Sequence, residues 1–231
     1  MRARWQVHRG QLRPEATRRK LHETAIRLIG ERGYEATTLR DVATRAGVSA
    51  GLLYKYFPSK RSVVLALYDE LSDAFAMEAA NMPAGKWRDR FLYALEKSLR
   101  TLGSHRVTLR ALVPVMVGDV DEGVFAQSTA FSRARVQAVF RAAVVDASDA
   151  PPHKLADALG RLLYLMHLGV ILWWLLDKSP GQRATQGLLS LWRRMLPSVT
   201  LALRLPVVRG AVQSADMLFG EALLDGLDPE V

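Results

Sequence analysis

Residues 38–60 read TLRDVATRAGVSAGLLYKYFPSK, and the fold of the chain follows from how this stretch is parsed. Leu39, Val42, Ala43 and Ala46 recur at i, i+3, i+4 and i+7, one face of a helix. Thr38 precedes that run with Asp41 three residues on, a start signal of the capping-box type. Gly47 supplies a position where positive φ costs little, so the chain can turn sharply there. Ser49 is placed to cap a second helix, with Val48 stapling against Leu53. Leu53 and Phe57 then face inward, Ala50, Gly51, Tyr54 and Lys55 face outward, and Pro58 closes the element.

The layout is that of a helix-turn-helix. The small Ala43 lets two helices cross closely, and the apolar Leu53 holds the second against the first. An ordinary helical corner would need none of the outward chemistry. Gly33-Tyr34, Thr37-Thr38, Ala46-Gly47-Val48-Ser49, Gly51, Leu53-Tyr54, Tyr56-Phe57 and Ser59-Lys60 together resemble the DNA-binding domain of TetR-family transcriptional regulators, over about residues 15–65. Several family members carry another hydroxyl residue after the position of Thr38, where it touches DNA; here it is Leu39, which has no hydroxyl to offer.

Charge agrees with a polyanionic partner. The chain has 231 residues and a net charge of +9; residues 1–62 hold 14 Lys and Arg against 5 Asp and Glu, while the other 169 residues hold 18 of each. A basic segment gains free energy on a polyanion by counterion release, and solubility alone needs no such segregation. Apolar content of 49% with 24% charged residues is that of a globular chain with a substantial core. The absence of cysteine excludes disulfides, cysteine nucleophiles and thiolate metal sites. No apolar run follows the basic N-terminus, so a cytoplasmic protein without a secretory signal is expected.

Residues 1–13, with Arg2, Arg4, Arg9 and Arg13, read as a flexible basic arm of the kind that can enter a minor groove. Pro14 suits a first helical turn, and Leu21, Ala25, Leu28 and Ile29 continue a buttressing helix up to Gly33. A further helix is expected over about 59–82. Beyond Pro83-Ala84-Gly85 come helical patterns at 86–103, 106–118, 121–147, 152–178, 181–204 and 208–226, with Pro114 and Pro197 expected to kink or interrupt theirs. The fold class is therefore all-α. The expected domains are the arm at 1–13, a three-helix helix-turn-helix DNA-binding domain at 14–62, and a larger helical ligand-binding and dimerisation domain at 63–231.

Residues 162–176, LLYLMHLGVILWWLL, carry no formal charge. They are short of the roughly 20 residues that span a bilayer. A helix apolar on nearly all sides is buried on nearly all sides, so no membrane partner is expected. By the resemblance, the helices at 152–178 and 181–204 build a homodimer interface.

For DNA, Tyr54, Tyr56 and Lys60 are the phosphate candidates, a phenol donating without charge and a lysine adding a salt-sensitive contribution. Base reading falls to Arg40 and Lys55 at guanine, Ala50 at a thymine methyl, and Gly51 through close backbone approach. Thr38 and Ser49 complete the expected DNA-facing set as the residues opening the two helices. Met116, Phe125, Phe131, Tyr164, His167, Trp173 and Trp174 are the candidate lining of an effector pocket, being aromatic, polarizable or titratable. His8, His22, His105, His153 and His167 show no metal-ligand spacing, and neither a phosphate-cradling glycine loop nor a G-x-S-x-G elbow is present. No catalytic residue, metal or cofactor is expected. The resulting expectation is a sequence-specific, homodimeric DNA-binding regulator, a repressor released from a palindromic operator by a small apolar or amphipathic ligand. An activator or ligand-insensitive DNA-binding protein is the alternative, and a helical interaction module with acidic partners comes last.

Overall fold

A computed structural model describes residues 3–223, and of residues 3–13 the backbone alone. The first helix, α1 (Ala3–Arg32), stops where Gly33 takes a φ of 88°. Thr37 Oγ1 then donates to the Gly33 carbonyl (2.8 Å) and the Leu28 carbonyl (3.2 Å), folding the chain back under the helix end. The helix starts earlier than Pro14, which sits inside it. The backbone of residues 3–13, expected to be an arm, thus forms the helix's first turns, and the arm's side chains lie outside the described residues.

α2 (Leu39–Ala46) and α3 (Ala50–Tyr56) follow, then α4 (Lys60–Ala79), α5 (Trp87–Leu102), α6 (Arg106–Ala111) and α7 (Val113–Gly118). Pro114 falls in the first turn of α7, so the expected helix at 106–118 divides at Leu112. The last four are α8 (Ala130–Val145), α9 (His153–Leu176), α10 (Arg183–Ala202) and α11 (Pro206–Leu223). Among the described residues there is no strand. The chain is all-α, as its patterning requires.

Two differences from the sequence reading have physical causes. The helix expected at 121–147 begins only at Ala130, because side chains satisfy the preceding backbone in another conformation. Asp119 Oδ1 accepts from the amides of Asp121 and Glu122, both at 2.7 Å, and Arg133 Nη1 donates to the carbonyls of Val124 (3.2 Å) and Ala126 (3.0 Å). α10 runs without interruption through Pro197, forgoing the one bond that a proline amide cannot make.

Two cores hold the helices together. One joins Leu21, Leu28 and Ile29 of α1 to Val42, Leu53, Phe57 and Val63, and continues into Leu109 and Leu112 and the end of α9 at Ile171 and Leu175. The other gathers Phe75, Phe91, Leu95, Phe140, Leu159 and Leu163. The helix-turn-helix therefore shares its apolar interior with α6 and α9. Gly30 sets the closeness of that join: a Cβ there would stand 2.9 Å from Thr108 Oγ1, which donates to the Ile26 carbonyl at 3.0 Å. Gly160 plays the same part between α9 and α8, where a Cβ would lie 2.9 Å from Arg141 Cα.

α9 is long and apolar enough to cross a membrane by length and composition. It lies between both cores, burying Leu159, Leu163, Tyr164, Val170 and Trp174.

Candidate DNA-contact surface and effector cavity

Each feature of residues 38–60 is built from local bonds. Thr38 Oγ1 accepts from the Asp41 amide (3.2 Å), and the Asp41 carboxylate accepts from the Thr38 amide (3.0 Å) and hydroxyl (2.6 Å), closing a capping box. Those bonds hold the Asp41 carboxyl below the usual carboxylate range. Gly47 is left-handed at φ 69°, and Lys20 of α1 reaches across to donate to the Ala46 carbonyl at 2.8 Å. Ser49 Oγ accepts from the Leu52 amide at 3.2 Å and opens α3. Leu53 and Phe57 are buried, and Val48 packs against the same core.

Ala50, Gly51, Tyr54 and Lys55 are all exposed on α3, with Tyr54 showing 46% of its surface, and Leu52 is exposed with them. Arg40 of α2, Thr38 and Ser49 are exposed beside them. Leu39 is buried in the core. Tyr56 and Lys60 are only half-buried, and Lys60 is already engaged. Its Nζ donates to the Tyr34 carbonyl at 2.7 Å and sits 4.0 Å above the Tyr34 ring. The Tyr34 hydroxyl in turn donates to Glu122 Oε2 at 2.6 Å, and burial with that carboxylate pushes the phenol's pKa up. Arg61 stands 3.7 Å from Asp121 in the same segment. The head is thereby tied to the loop that precedes α8.

That loop forms one wall of a cavity of about 120 Å³. The other walls are Tyr68, Leu71 and Phe75 of α4, Ser98 and Leu102 of α5, and Tyr164, His167 and Ile171 of α9. His167 Nε2 lies 2.7 Å from Ser98 Oγ; its Nδ1 and the Tyr68 hydroxyl are buried with no hydrogen-bond partner. Burial pushes the His167 pKa down to about 3, so the ring is neutral. The Phe140 ring packs against it at 4.5 Å and Tyr164 at 6.3 Å. A wider groove of about 490 Å³, lined by Val113, Phe125, Leu165, Met166, Leu172 and Phe219 among others, adjoins the cavity and shares Met116, Val124, Leu168 and Ile171 with it.

Of the residues expected to line a pocket, Met116, Tyr164 and His167 stand on the cavity wall and Phe125 on the groove. Three do not. Phe131 is 70% exposed beneath the Arg135 guanidinium, because α8 begins one residue before it and turns its side chain outward. Trp173 is 49% exposed, while Trp174 is core, stacked by Arg106 and donating through its indole N–H to Gln182 at 2.6 Å. Consecutive helical residues point about 100° apart, so at most one of the pair could face the hollow. Sequence reasoning missed Tyr68, Phe75 and Ser98. The legible signal was Ser98, a hydroxyl set among Phe91, Leu95 and Leu102 at helical spacing.

Similarity to known proteins bears on both halves. Residues 21–67 match the family described as "Bacterial regulatory proteins, tetR family". The chain is 30% identical over 188 residues to the HTH-type transcriptional regulator Rv1556 of Mycobacterium tuberculosis, covering 78% of this chain and 87% of that protein. It is 36% identical over 104 residues to the HTH-type transcriptional repressor KstR2 of Rhodococcus jostii, a match spanning 45% of this chain and 43% of that protein. Among solved structures, a tetR-family regulator from Streptomyces coelicolor superposes with a TM-score of 0.57 at 22% identity, covering 92% of this chain and 96% of that one. Salmonella enterica GusR superposes with a TM-score of 0.63 at 18% identity, covering 80% and 95%. Both structural likenesses are of fold. With the helix-turn-helix geometry and a relative matched across most of both chains, the protein belongs to the TetR family of DNA-binding transcriptional regulators.

Proposed function

We propose that the protein is a homodimeric repressor, without catalytic activity and acting in the cytoplasm, that holds a palindromic operator until a small apolar or amphipathic molecule enters its body. The observation that carries this reading is the double duty of α4. Val63, Val64 and Leu67 at its start close the core under α2 and α3, and Tyr68, Leu71 and Phe75 further along wall the cavity. A ligand resting on one half of the helix bears on the other, and it shifts the balance only by its differential affinity for the two states.

The naming of KstR2 as a repressor supports the sign of the regulation. Uncovered apolar side chains support the dimer: Leu191 and Met195 one turn apart on α10, and Trp173 and Leu176 at the end of α9. On DNA, Tyr54 and Tyr56 serve phosphates with the remaining N–H groups of Lys60, while Arg40 and Lys55 address guanine edges, Ala50 a thymine methyl and Gly51 a close backbone approach. Paired recognition helices then stand about one helical turn apart, ~34–36 Å. Selecting bound sequences from random duplexes tests the proposal. An inverted repeat with half-sites at that spacing is expected, and recovery of unordered or single sites overturns it.

A further inference from the structure

The cavity and its groove differ in chemistry, and the difference describes a ligand. Resting on the reading above that an effector binds here, we infer that this effector is an elongated, uncharged hydrophobic molecule whose leading hydroxyl or keto oxygen accepts from Tyr68 while its hydrocarbon body lies in the groove against α9 and Phe219 of α11.

The groove's wall is wholly apolar: it is built from Val, Leu, Ile, Met, Phe and one glycine, with no polar or charged side chain. Polarity is confined to the inner cavity, where the Tyr68 hydroxyl and His167 Nδ1 are both buried and unpartnered. Such atoms nearly always have a partner in folded proteins, because leaving one bare forfeits its hydrogen bond to water. A ligand that supplies the missing oxygen recovers that loss. The Ser98 hydroxyl holds the other ring nitrogen of His167 at 2.7 Å, so Nδ1 is fixed in place.

Charge on the leading group is disfavoured in both signs. Glu122 and Asp119 act on the Tyr68 phenol by charge and would repel an anion, and His167 is neutral. Arg133, the one charged residue on the wall, already uses Nη1 on the Val124 carbonyl (3.2 Å), the Ala126 carbonyl (3.0 Å) and Thr129 Oγ1 (3.4 Å). No carboxylate lines the cavity to receive a cation. A cation entering without a counter-charge loses its hydration and gains nothing equal to it, and an anion meets the Arg133 charge only against the opposing field of Glu122 and Asp119.

The test titrates the full-length protein with four probes of one chain length: 1-decanol, 2-decanone, decanoate and decylammonium, read by displacement of a solvatochromic dye. Decanol and decanone are expected to bind at least about tenfold tighter than either ion. Tyr68→Phe should weaken decanol about fivefold and leave the ligand-free melting temperature unchanged or higher, since that hydroxyl has no partner to lose. Equal or tighter binding of decanoate or decylammonium, an unchanged decanol affinity in Tyr68→Phe, or no saturable binding by any probe overturns the inference. A gel-shift arm with the selected operator separates the two readings. Decanol that binds in the expected pattern yet leaves the operator complex intact sinks the effector role and leaves the ligand chemistry standing.

Discussion

The Tyr34 hydroxyl donates to Glu122 Oε2 at 2.6 Å, joining residues 88 positions apart in the chain. Tyr34 lies at the turn before α2, and Glu122 lies in the loop that walls the cavity, so this one bond ties the helix-turn-helix to the wall of the hollow. Tyr34→Phe removes it without altering the ring that Lys60 covers. Half-exposed as the pair is, a loss of about 1 kcal/mol of stability is expected in chemical denaturation. On the proposed function, operator affinity without ligand should stay within about twofold, while the ligand-induced drop shrinks for want of the bond that ties loop to head. An unchanged drop would assign the coupling to the α1–α6 packing instead.

On the proposed function, Tyr54 serves affinity and Arg40 specificity. Tyr54→Ala should weaken every operator variant alike by a similar factor, as a phosphate contact does. Arg40→Ala should cost about 1–3 kcal/mol at particular base pairs and relax preference there. Binding measured across a panel of single-base operator variants decides it. Uniform weakening by Arg40→Ala removes that residue from base reading.

Leu191 and Met195 face away from the chain's own cores. A carboxylate placed at either, Leu191→Glu or Met195→Glu, would be desolvated in a dimer and costs little in a lone chain. Sedimentation should show each variant dissociating at concentrations where the wild type is paired, with helical content and melting of the lone chain preserved. A wild-type level of association in both variants moves the interface elsewhere.

His167 makes stability depend on pH. Its folded pKa of about 3 lies below the ordinary 6.5, so the stability tied to its neutral form is fully present above pH 6.5 and is lost as pH falls toward 3. Burial lowers the His22 pKa too, giving a second contribution of the same sign. Melting temperature is expected to decline from about pH 6.5 downward, and His167→Gln should flatten the decline without abolishing it. A variant as acid-sensitive as the wild type would show that the imidazole is not what the core keeps neutral.

The helix-turn-helix was legible because its determinants are local. A capping box, a left-handed glycine, a second cap and a 3.6-residue period all fall between Thr38 and Phe57, and each needs only near neighbours. The loop before α8 was not legible, since Arg133 and Asp119 decide it by bonds that compete with an otherwise good helical pattern. The pocket was half legible. In a helix apolar on every side, composition does not tell Trp173 from Trp174; only the neighbours that arrive from α6 and from the turn before α10 do. Tyr68 sat in a helix whose periodicity reads as ordinary core, and only the Ser98 hydroxyl among apolar neighbours marked the wall in the sequence.

The glycine at position 30 has a bearing on how such regulators can be recombined. Because Thr108 rests against its bare α-carbon, the front of this protein is keyed to its own body as a tenon is to one mortise. A chimera that exchanges the first helices for those of a cousin must bring a matching sixth helix with it, or the reader of the operator will sit askew on a body cut for another.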